Sequence, residues 1–142
     1  MIKKLTPFEF VDGVVSYDTS EVFCVRVDPG IAVTSELLKA LYYLLWFPGY
    51  FGFNWNALYD CLRDLEWIPM KRVAVIHGVL PNIPDADLKI YLEILRDSIV
   101  ELKANNRTNL EIVFPESARE RVERLLNDKL ARSLGTLGTD HA

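Results

Sequence analysis

The sequence predicts an α/β domain: a small three-stranded, mostly parallel sheet flanked by helices, with an N-terminal extension and an additional C-terminal helix. Two observations lead there. Runs at 21–28, 71–79 and 110–114 are strand-length and rich in β-branched and aromatic residues, and between them leucines recur at helical spacing. The order strand, helix, helix, strand, helix, strand then calls for crossovers over the sheet, which favour parallel pairing.

The elements follow in chain order. Residues 1–21, with Phe8, Phe10, Val11, Val14 and Val15 around Gly13, read as an irregular or short-stranded lead-in. The stretch EVFCVRVD at 21–28 is a first core strand ending at the Pro29-Gly30 turn signal. Thr34-Ser35-Glu36 offers a cap before Leu37, Leu38, Leu41, Leu44 and Leu45, and Pro48-Gly49 stops that helical pattern. A second helix opens at Asn54, a favoured N-cap type, with Trp55, Leu58, Leu62 and Leu65 as its core stripe. The near-continuous apolar run KRVAVIHGV at 71–79 suits a strand covered on both faces.

A long helix at 85–106 aligns Leu88, Leu92, Leu95, Ile99 and Leu102, and LEIVF at 110–114 supplies the third strand, closed by Pro115. Ser117-Ala118-Arg119-Glu120 matches a capping box, opening a last helix over 117–134 with Val122, Leu125, Leu126 and Leu130 in phase. Its amphipathic spacing fits packing on the core, dimerisation or partner contact equally, so oligomeric state is not readable. The tail at 135–142 is expected to fray.

With 142 residues, half apolar and a quarter charged, 1–142 forms one domain able to bury a real core. A net charge of −4 and a pI near 5.2 argue against direct nucleic-acid binding, which relies on Lys and Arg to displace phosphate counterions, and point to a basic partner. No apolar stretch approaches the roughly 18–20 residues of a membrane span, and the stretch Met1 to Pro7 carries two lysines but no apolar run of signal length, so a cytoplasmic protein is expected. Cys24 and Cys61, far apart and without CxxC or His spacing, are expected to be buried or half-buried thiols rather than metal ligands.

The residues do not spell an enzyme or call for a cofactor. His77 lies inside a strand pattern, where a satisfied structural role is the ordinary one, and His141 lies in the tail. GxSxG, P-loop, HExxH, GxGxxG and EF-hand patterns are absent, and the acid pairs Asp85/Asp87 and Asp60/Asp64 read as solvated helix faces.

The polar side of the second helix is more informative. Asn56, Asp60 and Arg63 stand at i, i+4 and i+7 opposite the apolar stripe, with Tyr59 beside them and Asp64 next in sequence. Tyr50, Phe51 and Phe53 precede them in the loop. Tyrosines around one or two carboxylates are the composition of a protein-recognition surface. Spacing alone leaves a second reading open, in which Phe51, Phe53 and Trp55 are core residues and Asp60 is a solvated charge. Gly52, after two aromatics and before the cap, would permit a positive-φ turn or a close backbone approach.

The stretch FPGYFGFNWNALYDCL at 47–62 resembles the signature of the barstar family, small intracellular inhibitors of ribonucleases. The residues that carry the resemblance are Tyr50, Phe51, Gly52, Asn54, Ala57, Leu58, Tyr59, Asp60, Cys61 and Leu62, and it extends over 22–114. It implies a helix and loop inserted into a nuclease active site, where a carboxylate stands in for an RNA phosphate. Asp60 matches that carboxylate, Tyr50 a contact tyrosine, and Tyr59 a position often held by Trp. Asp97, in Leu95-Arg96-Asp97, matches an acid on the third helix that also contacts the enzyme.

Two departures make this surface less acidic than the resemblance implies: Asn56 stands where the family commonly has Asp, and Phe53 where its best-known member has an acid. The amide of Asn56 cannot form a charge-assisted pair with Arg. A basic ribonuclease or other toxin nuclease is the partner the resemblance implies. A barstar-like interaction module with a non-nuclease partner is the alternative.

Overall fold

The computed structural model describes residues 6–127. Its elements are β1 (Glu9–Val11), β2 (Val22–Val27), α1 (Thr34–Leu44), α2 (Trp55–Leu62), β3 (Arg72–His77), α3 (Asp85–Ala104), β4 (Asn109–Pro115), a 3-10 turn (Glu116–Ala118) and α4 (Arg119–Asn127). The sheet has four strands in the order β1-β4-β3-β2, and every pairing is parallel.

The strand count corrects the three-stranded expectation. The fourth strand comes from the lead-in: Glu9, Phe10 and Val11 pair with Val113, Phe114 and Pro115. Phe8 and Phe10 hold it there by packing on the Phe114 ring at 5.4 and 6.1 Å. Burial of these rings drives the pairing.

In β3, Val73, Ala74, Val75, Ile76 and His77 are all buried. That agrees with its unbroken apolar run, because a central parallel strand is covered on both faces. His77 is satisfied within the core. Its Nδ1 lies 3.1 Å from the Val113 carbonyl, which can only accept, so Nδ1 carries the proton and Nε2 accepts from the Tyr91 hydroxyl at 2.7 Å. Burial pushes the His77 pKa down to about 4.

Two expected caps are not made. Val33, not Thr34, is the N-cap of α1, and the Thr34 hydroxyl instead donates to Asp87 at 2.6 Å, tying the start of α1 to the start of α3. Ser117 falls inside the 3-10 turn, where Glu116 pairs with Arg119 at 2.6 Å.

The last helix packs on the core as far as it is described. Val122, Leu125 and Leu126 are buried, α4 lies against α3, and the buried Lys89 ammonium donates to the Leu125 carbonyl. The expected continuation through Leu130 to residue 134, the tail at 135–142 and the first residues of the lead-in lie outside the described residues.

Cys61 is buried and Cys24 half-buried, both as free thiols. No helix among the described residues is long and apolar enough to cross a membrane. No group of three or more His, Cys, Asp or Glu residues among them is placed to hold a metal ion.

Candidate functional site

The segment entering α2 is built on buried rings. α1 ends when Trp46 takes a left-handed conformation (φ 56) and the Phe47 N–H donates back to Tyr42, a helix-terminating pattern usually supplied by glycine. The turn therefore precedes the expected stop at Pro48-Gly49. The Trp67 indole N–H donates to the Leu45 carbonyl at 2.9 Å and secures the helix end.

Next, the Phe51 N–H donates to Pro48 at 3.0 Å and closes a tight turn. Its geometry points neighbouring side chains in opposite directions: Tyr50 is 77% exposed, whereas Phe51 is 4% exposed. Phe51 packs against Phe47 at 5.0 Å and Phe53 at 4.9 Å, and Phe53 also meets Tyr42 at 5.1 Å.

The left-handed residue before the helix is Phe53 (φ 54), not Gly52. What Gly52 provides is room. A Cβ there would come within 3.1 Å of the Asn54 carboxamide. That carboxamide is in use, because its oxygen accepts from the Ala57 N–H at 2.8 Å and caps α2 as expected.

α2 has two contrasting sides. Leu58 and Leu62 are buried, as is Leu65 just beyond, and Trp55 is half-buried near Tyr91. Asn56 and Asp60 are exposed and Tyr59 is half-buried.

Arg63, the C-cap of α2, organises the far end of this surface. Its guanidinium reaches Asp60 at 2.6 Å and Glu101 at 3.5 Å, and lies 4.3 Å from the centre of the Tyr59 ring. The Tyr59 hydroxyl donates to Glu101 at 3.1 Å. Burial, followed by that hydrogen bond and the Glu101 charge, raises the Tyr59 pKa. The hydrogen bond that Arg63 donates to Asp60 is the main reason the Arg63 pKa is raised.

An open groove of about 570 Å³ is lined by Asp60, Arg63, Asp64, Glu101, Asn105 and Arg107. The structure thus brings Tyr59, Asp60, Arg63 and Asp64 together. Asp97 flanks them: its charge is felt at Tyr59, and its carboxylate pairs with Arg96 at 2.9 Å. Tyr50 and Phe53 sit at the opposite end of α2, one helix length of about 12 Å away. Asn56 lies in the first turn between the two ends.

Glu101 and Arg107 were not singled out from sequence. Glu101 follows Asp97 by four residues, a spacing that puts both on one face of α3. Arg107 has no such signal. It is placed by the end of α3, where Asn106 is left-handed (φ 52) and the Arg107 N–H donates to Leu102.

A family model described as Barstar (barnase inhibitor) matches residues 22–124, taking in the 47–62 signature and running past Phe114 into α4. A search of curated proteins returned no match.

Proposed function

The chain belongs to the barstar family, and on that premise we propose that it is an intracellular inhibitor, an immunity protein, that occludes the active site of a ribonuclease or toxin nuclease. α2 and its preceding loop form the contact surface. Asp60 takes the place of a substrate phosphate among the partner's Arg, Lys and His groups, with Tyr50, Phe53, Asn56, Tyr59, Arg63, Asp64 and Asp97 around it.

The observation that carries this reading is the contrast across one short helix: Leu58 and Leu62 are buried while the Asp60 side chain is 65% exposed. The carboxylate is presented from a backbone that the core holds still. Such preorganisation lowers the ordering cost of binding. A net charge of −4 speeds encounter with a basic cleft at low salt.

Two observations favour a barstar-like module with a non-nuclease partner: Asn56 is neutral, and Arg63 offsets part of the Asp60 charge.

The experiment is affinity capture from extracts and secreted fractions of the source organism, with wild type and Asp60→Lys as baits. A basic nuclease held by wild type and lost by the variant supports the inhibitor reading. A partner held equally by both, or one without a nuclease fold, overturns it. Against an isolated nuclease, Asp60→Ala is expected to weaken binding by about 2 kcal/mol or more; this is the scale of central charged hot spots, for which the barnase–barstar pair is itself the reference case.

A further inference from the structure

The Arg63 guanidinium lies between the carboxylates of Asp60 (2.6 Å) and Glu101 (3.5 Å), with the Tyr59 ring 4.3 Å away. Two carboxylates and an aromatic face are what an incoming arginine or lysine would seek. In the free protein that place is taken by the chain's own cation. We propose that Arg63 is a displaceable latch on this groove and a specificity-determining residue, admitting only those cationic partners that can move it aside. This inference rests on the inhibitor reading of α2.

Three features make the latch displaceable. Arg63 is the C-cap of α2, so its side chain can swing away while the helix hydrogen bonds stay in place. That side chain is 36% exposed, so water can receive the released guanidinium. Its Nε is buried without a hydrogen-bond partner, so the resting position leaves one of its donors unsatisfied. The docked state is held, but incompletely.

The charge balance gives the latch its effect. The groove carries three carboxylates, Asp60, Asp64 and Glu101, against two guanidiniums, Arg63 and Arg107. Arg107 engages Asp64 at 3.4 Å, leaving Arg63 as the counter-ion of Asp60 and Glu101. A partner cation must displace Arg63 or meet its like charge, and such repulsion is a common means of rejecting wrong partners. Without Arg63, three carboxylates would face one guanidinium.

N-acetyl-arginine amide, a single guanidinium on a neutral backbone, tests this without knowledge of the nuclease. Binding is read by NMR shifts at Tyr59 and Asp60 in a millimolar titration of wild type, Arg63→Gln and Arg63→Gln/Asp60→Asn. Arg63→Gln is expected to bind about fivefold more tightly than wild type, the upper range for releasing an exposed ion pair, and the double variant to lose the gain. Thermal unfolding reports that each variant remains folded. Arg63→Gln binding no better than wild type, including no binding by either, overturns the latch.

The two readings fail separately. A nuclease captured in an Asp60-dependent way, with no gain for Arg63→Gln, sinks the latch and leaves the inhibitor. A gain for Arg63→Gln together with a captured partner that has no nuclease fold leaves the latch and sinks the inhibitor.

Discussion

His77 and Tyr91 are joined across the core, the phenol hydroxyl of Tyr91 donating to Nε2 of His77 at 2.7 Å with both side chains buried. Burial holds the folded-state His77 pKa near 4, below the ordinary value of 6.5. The unfolded chain therefore takes up this proton first as pH falls. The stabilisation from a neutral His77 is complete above about pH 6.5 and is lost as pH drops toward 4, a change on the order of 3 kcal/mol. Denaturant titrations across this window should show it, and His77→Asn should flatten the profile. An equal slope in both proteins would assign acid sensitivity to other groups.

Tyr91→Phe keeps the ring and removes only the hydroxyl, leaving Nε2 without its donor. A loss of about 1–3 kcal/mol is expected, the cost of an unsatisfied buried acceptor. Unfolding at pH 7.5 measures it, and a variant as stable as wild type would mean that another donor replaces the phenol.

Phe51 and Tyr50 are adjacent but should behave oppositely. Phe51→Ala removes a ring that is 4% exposed and is expected to cost about 3–5 kcal/mol. Tyr50→Ala, at a position 77% exposed, should change stability by less than about 0.5 kcal/mol and weaken only partner binding. Paired melting and binding measurements separate anchor from contact.

Asn54→Ala deletes the cap on the Ala57 N–H and is expected to destabilise the fold by about 1 kcal/mol. Asn54→Ser, which keeps a capping oxygen, should recover much of that loss. Equal losses in both would locate the role of Asn54 elsewhere in the loop.

The Cys61 thiol is pushed up to about 11, first by burial and then by the Asp60 and Asp64 charges. It therefore stays protonated at pH 8, and its alkylation by iodoacetamide should be slow until the protein unfolds. Prompt modification of the folded protein would contradict this assignment.

Features carried by a periodic or local pattern were legible in the sequence. The β2, β3 and β4 runs, the leucine spacing of α3 and the Asn54 cap each signal themselves within a few residues. β1 does not, because three residues carry no period and its partner lies at the other end of the domain. The turns were also misleading: glycines drew attention to 49 and 52, yet Trp46 and Phe53 adopt the left-handed conformation. Packing of their rings on Phe23 and Tyr42 offsets the cost, roughly 1–2 kcal/mol per residue. At the candidate site, spacing placed Asn56, Asp60 and Arg63 on one polar side. It could not bring Arg63 to Glu101, because that contact exists only once α2 lies on α3.

β1 leaves the ribosome well before the strand it pairs with, β4, because Glu9 meets Val113 more than a hundred positions later. During synthesis Phe8 and Phe10 must wait without their receiving surface, and β4, once made, presents a bare edge until they arrive. The sheet is thus completed only after β4 has been made. A shortened chain lacking them would expose the Val113–Phe114 edge to the same strand from a neighbouring copy, the kind of pairing that leads to strand exchange and aggregation.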